Sequence, residues 1–85
     1  MNNNDLENNH VENYQQFKDN YNKIVDDCRH LRDGAGFTQS FMANWLNVGR
    51  WRIIEFESKK KIDLEMLFSY AEKLSIDIFI NHKIN

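Results

Sequence analysis

Five cations fall within one short stretch of this chain, and the first two flank a tryptophan: Arg50-Trp51-Arg52, then Ile53-Ile54-Glu55-Phe56-Glu57-Ser58, then Lys59-Lys60-Lys61. If Arg50 opens a helix, the spacing i, i+1, i+4, i+5, i+8 gathers Arg50, Trp51, Ile54, Glu55 and Ser58 on one outward face. An α-helix fits the DNA major groove, and its N-terminal residues reach the base edges. Arg50 can donate two hydrogen bonds to guanine O6 and N7, and Glu55 can accept from the amino group of cytosine. Ile54 or Trp51 can cover a thymine methyl. Arg52 and the helix N-terminus favour backbone phosphates, and Lys59, Lys60 and Lys61 stand where flanking phosphates would need neutralising. The same residues have plainer uses. Glu55 can pair with Lys59 or Arg52 on the helix surface, the lysine run can be a solvated loop, and Trp51 can pack against another subunit.

Such a face needs a second helix to hold it. Upstream, Met42, Ala43 and Leu46 recur at the i, i+1, i+4 spacing of one helical face, and Ile53 and Phe56 follow at i, i+3. Between the two segments Asn47 and Gly49 bracket Val48, and both tolerate the positive φ of a tight reversal. Ala43 is small enough to let the second helix cross closely. Two short helices joined by three residues make a helix-turn-helix over 38–58.

On these residues the chain resembles the Cro/C1 (XRE-like) repressor family. Thr38-Gln39, Ala43, Leu46, Val48, Ile53, Phe56 and Glu57 carry the likeness. It extends upstream through Leu31-Arg32 and Gly36-Phe37, and downstream through Leu64, Leu67, Ala71, Leu74 and Ile76. Asn47 and Lys59 stand where the family commonly has glycine. The resemblance implies an all-α domain of four to five helices and a DNA-binding role. It also implies that Thr38 and Gln39, at the start of the preceding helix, contact phosphates.

Composition agrees with one small folded unit. The 85 residues are 41% hydrophobic, enough for a single modest core. No apolar run approaches the roughly 20 residues of a membrane span, and a single cysteine gives no internal disulfide, so the expectation is a cytoplasmic protein. The formal net charge of −2 would argue against a polyanionic partner, but it is unevenly spread. Residues 1–33 carry seven acids and four bases, residues 34–62 two acids and five bases, and residues 63–85 four acids and two bases. The middle segment is therefore +3 between flanks of −3 and −2, and a polyanion feels the local field.

In chain order, residues 1–10 are Asn-, Asp- and Glu-rich with no period, and read as a mobile polar tail. From Val11, Tyr14, Phe17, Tyr21, Ile24, Cys28 and Leu31 alternate in steps of three and four with Val25 beside them, predicting a helix that ends at a glycine cap on Gly34. Residues 11–20 exceed what the family needs, and predict either a helical extension lying across a partner or a cover for the protein's own surface. Thr38 is the expected N-cap of the second helix. Phe41 and Trp45 lie one turn apart on a face away from Met42, as material for a subunit or partner contact unless the N-terminal residues cover them. Asp63 is the expected N-cap of a last helix burying Leu64, Leu67, Phe68, Ala71 and Leu74, with Met66 and Tyr70 flanking. In residues 75–85, Ile76, Ile78 and Ile80 alternate with polar residues at period two, predicting a short β-strand that pairs with its copy in a homodimer; the alternative is a final helical turn and a frayed tail.

Catalytic patterns are missing. His10, His30 and His82 are scattered, Cys28 sits on an apolar stripe, and no glycine-rich phosphate loop exists. No enzyme activity, metal or other cofactor is expected. The leading expectation is a homodimeric, sequence-specific double-stranded DNA-binding regulator, a repressor on an inverted-repeat operator. The alternative is an antitoxin, since a Cro/C1-like domain followed by a dimerising strand is similar to HipB-like antitoxins, which bind both an operator and a toxin protein. A third reading is a protein-binding module that has lost DNA contact, resting on the hydrophobic Trp51 and Ile54.

Overall fold

The computed structural model describes the backbone of residues 3–84 and the side chains of residues 13–74. Four helices follow in order: α1 (Asn3–Gly34), α2 (Gln39–Leu46), α3 (Arg50–Ser58) and α4 (Leu64–Ile84). The described backbone is all-helical and contains no strand. Among the described residues no helix is long and apolar enough to cross a membrane.

Local chemistry sets most of the helix ends. Gly36, at φ +80, closes α1. The Phe37 N–H reaches back to the Arg32 carbonyl and the Gly36 N–H to that of Asp33, each at 3.0 Å. This paired arrangement is a Schellman cap with an apolar residue just beyond it. The cap is thus Gly36 and not Gly34, which is still helical. Thr38 caps α2 as expected, its hydroxyl accepting from the Phe41 N–H at 3.0 Å. Asn47 ends α2 in the left-handed region at φ 57, and the Val48 N–H returns to the Ala43 carbonyl at 2.9 Å. Gly49 takes an extended conformation as the residue before α3. Asn47→Val should therefore destabilise the fold by on the order of 1–2 kcal/mol, because a β-branched residue is strained in that region; chemical denaturation would measure it. Lys59 ends α3 at φ 63, a backbone state that glycine would adopt without strain. Asp63 caps α4, its carboxylate accepting from the Met66 N–H at 3.0 Å.

The core collects Tyr21, Val25 and Cys28 from α1, Met42 and Ala43 from α2, Ile53 and Phe56 from α3, and Met66, Leu67, Tyr70 and Leu74 from α4. Helices as short as α2 and α3 are marginal alone, so burial of these residues is what holds them. Leu46 is half-buried and completes the expected α2 stripe only in part.

Three expectations are corrected. Helical backbone begins at Asn3, so most of the predicted 1–10 tail belongs to α1; a helix already nucleated downstream extends at little cost per residue. The apolar stripe of α1 divides, with Tyr21, Val25 and Cys28 in the core while Tyr14, Phe17, Ile24 and Leu31 stay 43–60% exposed. On α4, Met66 and Tyr70 are buried and Leu64 and Phe68 exposed, the reverse of the expected assignment. The reason is polar: Tyr70 can enter the core because its hydroxyl finds a carboxylate there.

A further difference lies at the C-terminus. The backbone of α4 is helical through Ile84, where the alternation of Ile76, Ile78 and Ile80 predicts a strand. A helix satisfies its own N–H and C=O groups, whereas a strand requires a neighbour that a single chain does not supply. The side chains of those isoleucines lie outside the described residues.

Candidate nucleic-acid interface

The outward part of α3 is built on a buried polar hub at its C-terminal end. Glu57 and Arg32 are both buried. The Arg32 guanidinium donates to Glu57 through Nε at 2.8 Å and Nη2 at 3.0 Å, and through Nη1 to the Phe37 carbonyl at 2.6 Å. Tyr70 donates to Glu57 Oε2 at 2.6 Å and Gln39 to Oε1 at 3.2 Å. One carboxylate therefore ties α1, α2 and α4 to α3. Burial alone would raise the Glu57 pKa, but hydrogen bonds from Arg32, Tyr70 and Gln39 outweigh it and hold the carboxyl below its ordinary value. Burial and the neighbouring carboxylate together push the Tyr70 hydroxyl far up, so it remains a donor. Among the described residues no buried side-chain polar atom lacks a partner.

A second tie fixes the turn after α3. The Tyr21 hydroxyl accepts from the Asp63 N–H at 2.8 Å and donates to the Lys61 carbonyl at 3.4 Å. Asp63 also accepts from Arg52 at 3.3 and 3.4 Å. Burial acts to raise the Asp63 pKa, but the Met66 N–H and Arg52 reverse it, leaving the carboxyl below its usual range.

On this frame the outward face carries Arg50, Trp51, Ile54 and Glu55. Arg50 is the first residue of α3 and exposed, and Trp51 is 71% exposed. Ile54 and Glu55 are half-buried beside them. Trp51 lines two shallow grooves. One of about 390 Å³ continues past Arg52, Phe56 and Ile62, and another of about 230 Å³ past Ile54, Ser58 and Lys60. Trp51, Ile54 and Glu55 line the second of these grooves together, and Arg50 does not line either one.

The cations around them are less available than the sequence implies. Arg52 is engaged by Asp63 and lies 3.8 Å from Glu65. Lys59 pairs with Asp26 of α1 at 2.9 Å, and Lys61 with Glu55 at 3.4 Å. Among the described residues, Arg50 and Lys60 make no ion pair. Exposed pairs are worth only about 0–1 kcal/mol, so Lys61, itself 80% exposed, can exchange Glu55 for a phosphate at little cost. Arg52 is held by two hydrogen bonds and serves first to anchor the start of α4. Gln39 is turned inward to Glu57, so its side chain does not stand ready for a phosphate in this conformation; the exposed Thr38 hydroxyl accepts the cap hydrogen bond from the Phe41 N–H and keeps its own proton to donate. Sequence reasoning missed the Glu57 hub. Its one signal was the pairing of a basic Arg32 on an apolar stripe with an acid on the inner face of α3.

Comparison with protein-family models, with curated proteins and with solved structures gives no match for this chain.

Phe41 and Trp45 form their own cluster. Phe37 stacks on Phe41 with ring centres 4.6 Å apart and meets Trp45 edge-on at 5.7 Å. Lys73 of α4 sits over the Trp45 ring at 5.4 Å, a cation–π contact. Trp45 is thus half-covered by Phe37 and α4, while Phe41 remains 46% exposed. Of the extra residues of α1, those described, 13–20, are all exposed. Cys28 is buried in the core, and burial, with Asp27 and Glu57 adding to it, pushes its thiol up to about 11. That is an unreactive thiol.

Proposed function

We propose that this chain is a sequence-specific double-stranded DNA-binding regulator that uses α3 as its recognition helix. The observation that carries the reading is a short helix, braced from behind by the Arg32–Glu57–Tyr70 hub, whose first residue is an exposed arginine outside any described ion pair. Beside it stand an exposed tryptophan and a glutamate. Helices of eight and nine residues joined by three residues support reading α2 and α3 as a helix-turn-helix, and an Arg at the leading end of a groove-reading helix is matched to guanine. Glu55 adds a cytosine-directed acceptor once Lys61 moves to a phosphate. Acting as a homodimer, the protein would present two such helices to an inverted-repeat operator, each to successive major grooves about 34 Å apart, and so repress.

The test is a binding-site selection on random duplex DNA followed by titration of the selected site. Arg50→Ala should weaken cognate binding by roughly 1–3 kcal/mol and relax the preference at one base pair. Lys60→Ala, in contrast, should weaken all duplexes alike and reduce the slope of log affinity against log salt by about 1. No enrichment of any sequence, with no duplex binding at low salt, would overturn the reading.

A further inference from the structure

Tyr21 carries a hydroxyl where the core asks only for a ring. It is 3% exposed and belongs to the buried cluster shared by all four helices. A phenylalanine would fill that place as well, so the hydroxyl needs a separate account, and a buried one needs a partner. It finds two, both in the turn between α3 and α4, 42 and 40 residues along the chain. The Tyr21 oxygen accepts from the Asp63 N–H at 2.8 Å, and its proton goes to the Lys61 carbonyl at 3.4 Å. The other holds on this turn lie at its ends. Lys59 is tied to Asp26 and through its N–H to the Phe56 carbonyl, while Asp63 is tied to Arg52 and caps α4. Between them the Lys60 N–H meets the Ser58 hydroxyl at 3.4 Å. Among the described residues the Lys61 backbone is held by Tyr21 alone. Lys60 and Lys61 border the same groove as Trp51, Ile54 and Glu55, so the turn held by Tyr21 decides where two cations stand beside α3.

We infer that Tyr21 is a positioning residue for duplex binding: its hydroxyl holds the turn so that Lys60 and Lys61 stand ready for the backbone phosphates flanking α3. This rests on the recognition-helix reading and adds to it a core residue of α1 that sets sequence-independent affinity. Tyr21 is too deeply buried to touch DNA and acts through the backbone of Lys61 and Asp63. Cations on a fixed turn meet a phosphate without first being ordered, and the ordering cost avoided appears as affinity. Phosphates carry no sequence information, so the gain is the same for every duplex, whereas Arg50 is aimed at a base edge. The pairing of Lys61 with Glu55 at 3.4 Å depends on the place of the turn in the same way.

The experiment is a double-mutant cycle on the full chain, with affinity read by fluorescence anisotropy on the selected duplex and on an unrelated one. Tyr21→Phe keeps the ring in the core and removes only the oxygen. Helical circular dichroism should be unchanged, and amide exchange at Asp63 should quicken because that N–H has lost its acceptor. Both duplexes should bind several-fold more weakly, with the preference between them kept. Lys60→Ala with Lys61→Ala removes both cations and leaves the residue-61 carbonyl in place for Tyr21. In that background Tyr21→Phe should change affinity by less than about twofold. A loss caused only by a weaker fold would be equal in the two backgrounds, and that result overturns the proposal. Unaltered exchange at Asp63, wild-type affinity of Tyr21→Phe, or loss of its helical signal overturns it too, and each leaves the recognition-helix reading standing. A wild type that binds no duplex at low salt overturns both.

Discussion

Replacing Glu57 by alanine is expected to cost the fold about 3–5 kcal/mol, the usual penalty for stranding one member of a buried ion pair. The substitution removes the acceptor for Arg32, Tyr70 and Gln39 together. It leaves a guanidinium whose side chain is only 9% exposed with the Phe37 carbonyl as its remaining partner among the described residues. Small domains are stable by only roughly 5–15 kcal/mol in total, so the variant should melt more than about 10 °C lower than the wild type and be partly unfolded at physiological temperature. Exchanging both charged residues for apolar ones of similar size, Arg32→Met with Glu57→Leu, should recover much of the loss, because no charge is then left unpaired. The Tyr70 hydroxyl still lacks its acceptor in that double variant, so recovery stops short of the wild type.

The same group makes stability depend on pH. The folded Glu57 carboxyl binds its proton less readily than the unfolded one, whose ordinary value is 4.5. Its contribution is therefore complete above that value and is lost as pH falls through it and below. Thermal melts between neutral and acid pH should show this loss in the wild type, and Arg32→Met with Glu57→Leu should flatten it. Equal acid sensitivity in the two proteins would remove Glu57 from the explanation.

Phe56→Ala is expected to be of comparable size by a different route. Phe56 is 1% exposed and packs at 5.1 Å from the Tyr70 ring. Large-to-small changes at such aromatic positions cost about 3–5 kcal/mol through lost transfer energy and the cavity left behind. The loss falls on α3 in particular, because a nine-residue helix with two β-branched residues in series has little propensity of its own and depends on Ile53 and Phe56 for its position. Denaturant melts should show the midpoint falling with the m-value unchanged. Duplex binding by whatever fraction stays folded should weaken as well, since the outward face is set from behind by this ring.

Much of this could be read from residue types in order. The caps at Thr38 and Asp63, the reversal at Asn47 and the inward positions of Met42, Ala43, Ile53 and Phe56 all follow from interactions within a few residues. Local rules of hydrogen bonding and periodicity therefore suffice for them. The exposure of Arg50 and Trp51 was legible for the same reason, since a helix turns its own residues out at fixed spacing, although Ile54 and Glu55 beside them are half-buried.

What the chain does with its charges and its apolar stripes was decided only by packing. Periodicity assigns residues to a face but does not say which of two adjacent faces is covered, so Phe17, Ile24, Leu31, Leu64 and Phe68 read as core and lie exposed. Spacing along α3 offered Lys59 or Arg52 as partners for Glu55, yet Glu55 meets Lys61, while Asp26 of α1 takes Lys59 and Asp63 takes Arg52, because α1 and the start of α4 come back to that surface. Even Glu57, an ordinary surface residue by type, became the hub of the fold once three other segments were folded around it. An isolated acid prefers water; an acid surrounded by an arginine, a tyrosine and a glutamine does not need it, and that company exists only in the tertiary structure.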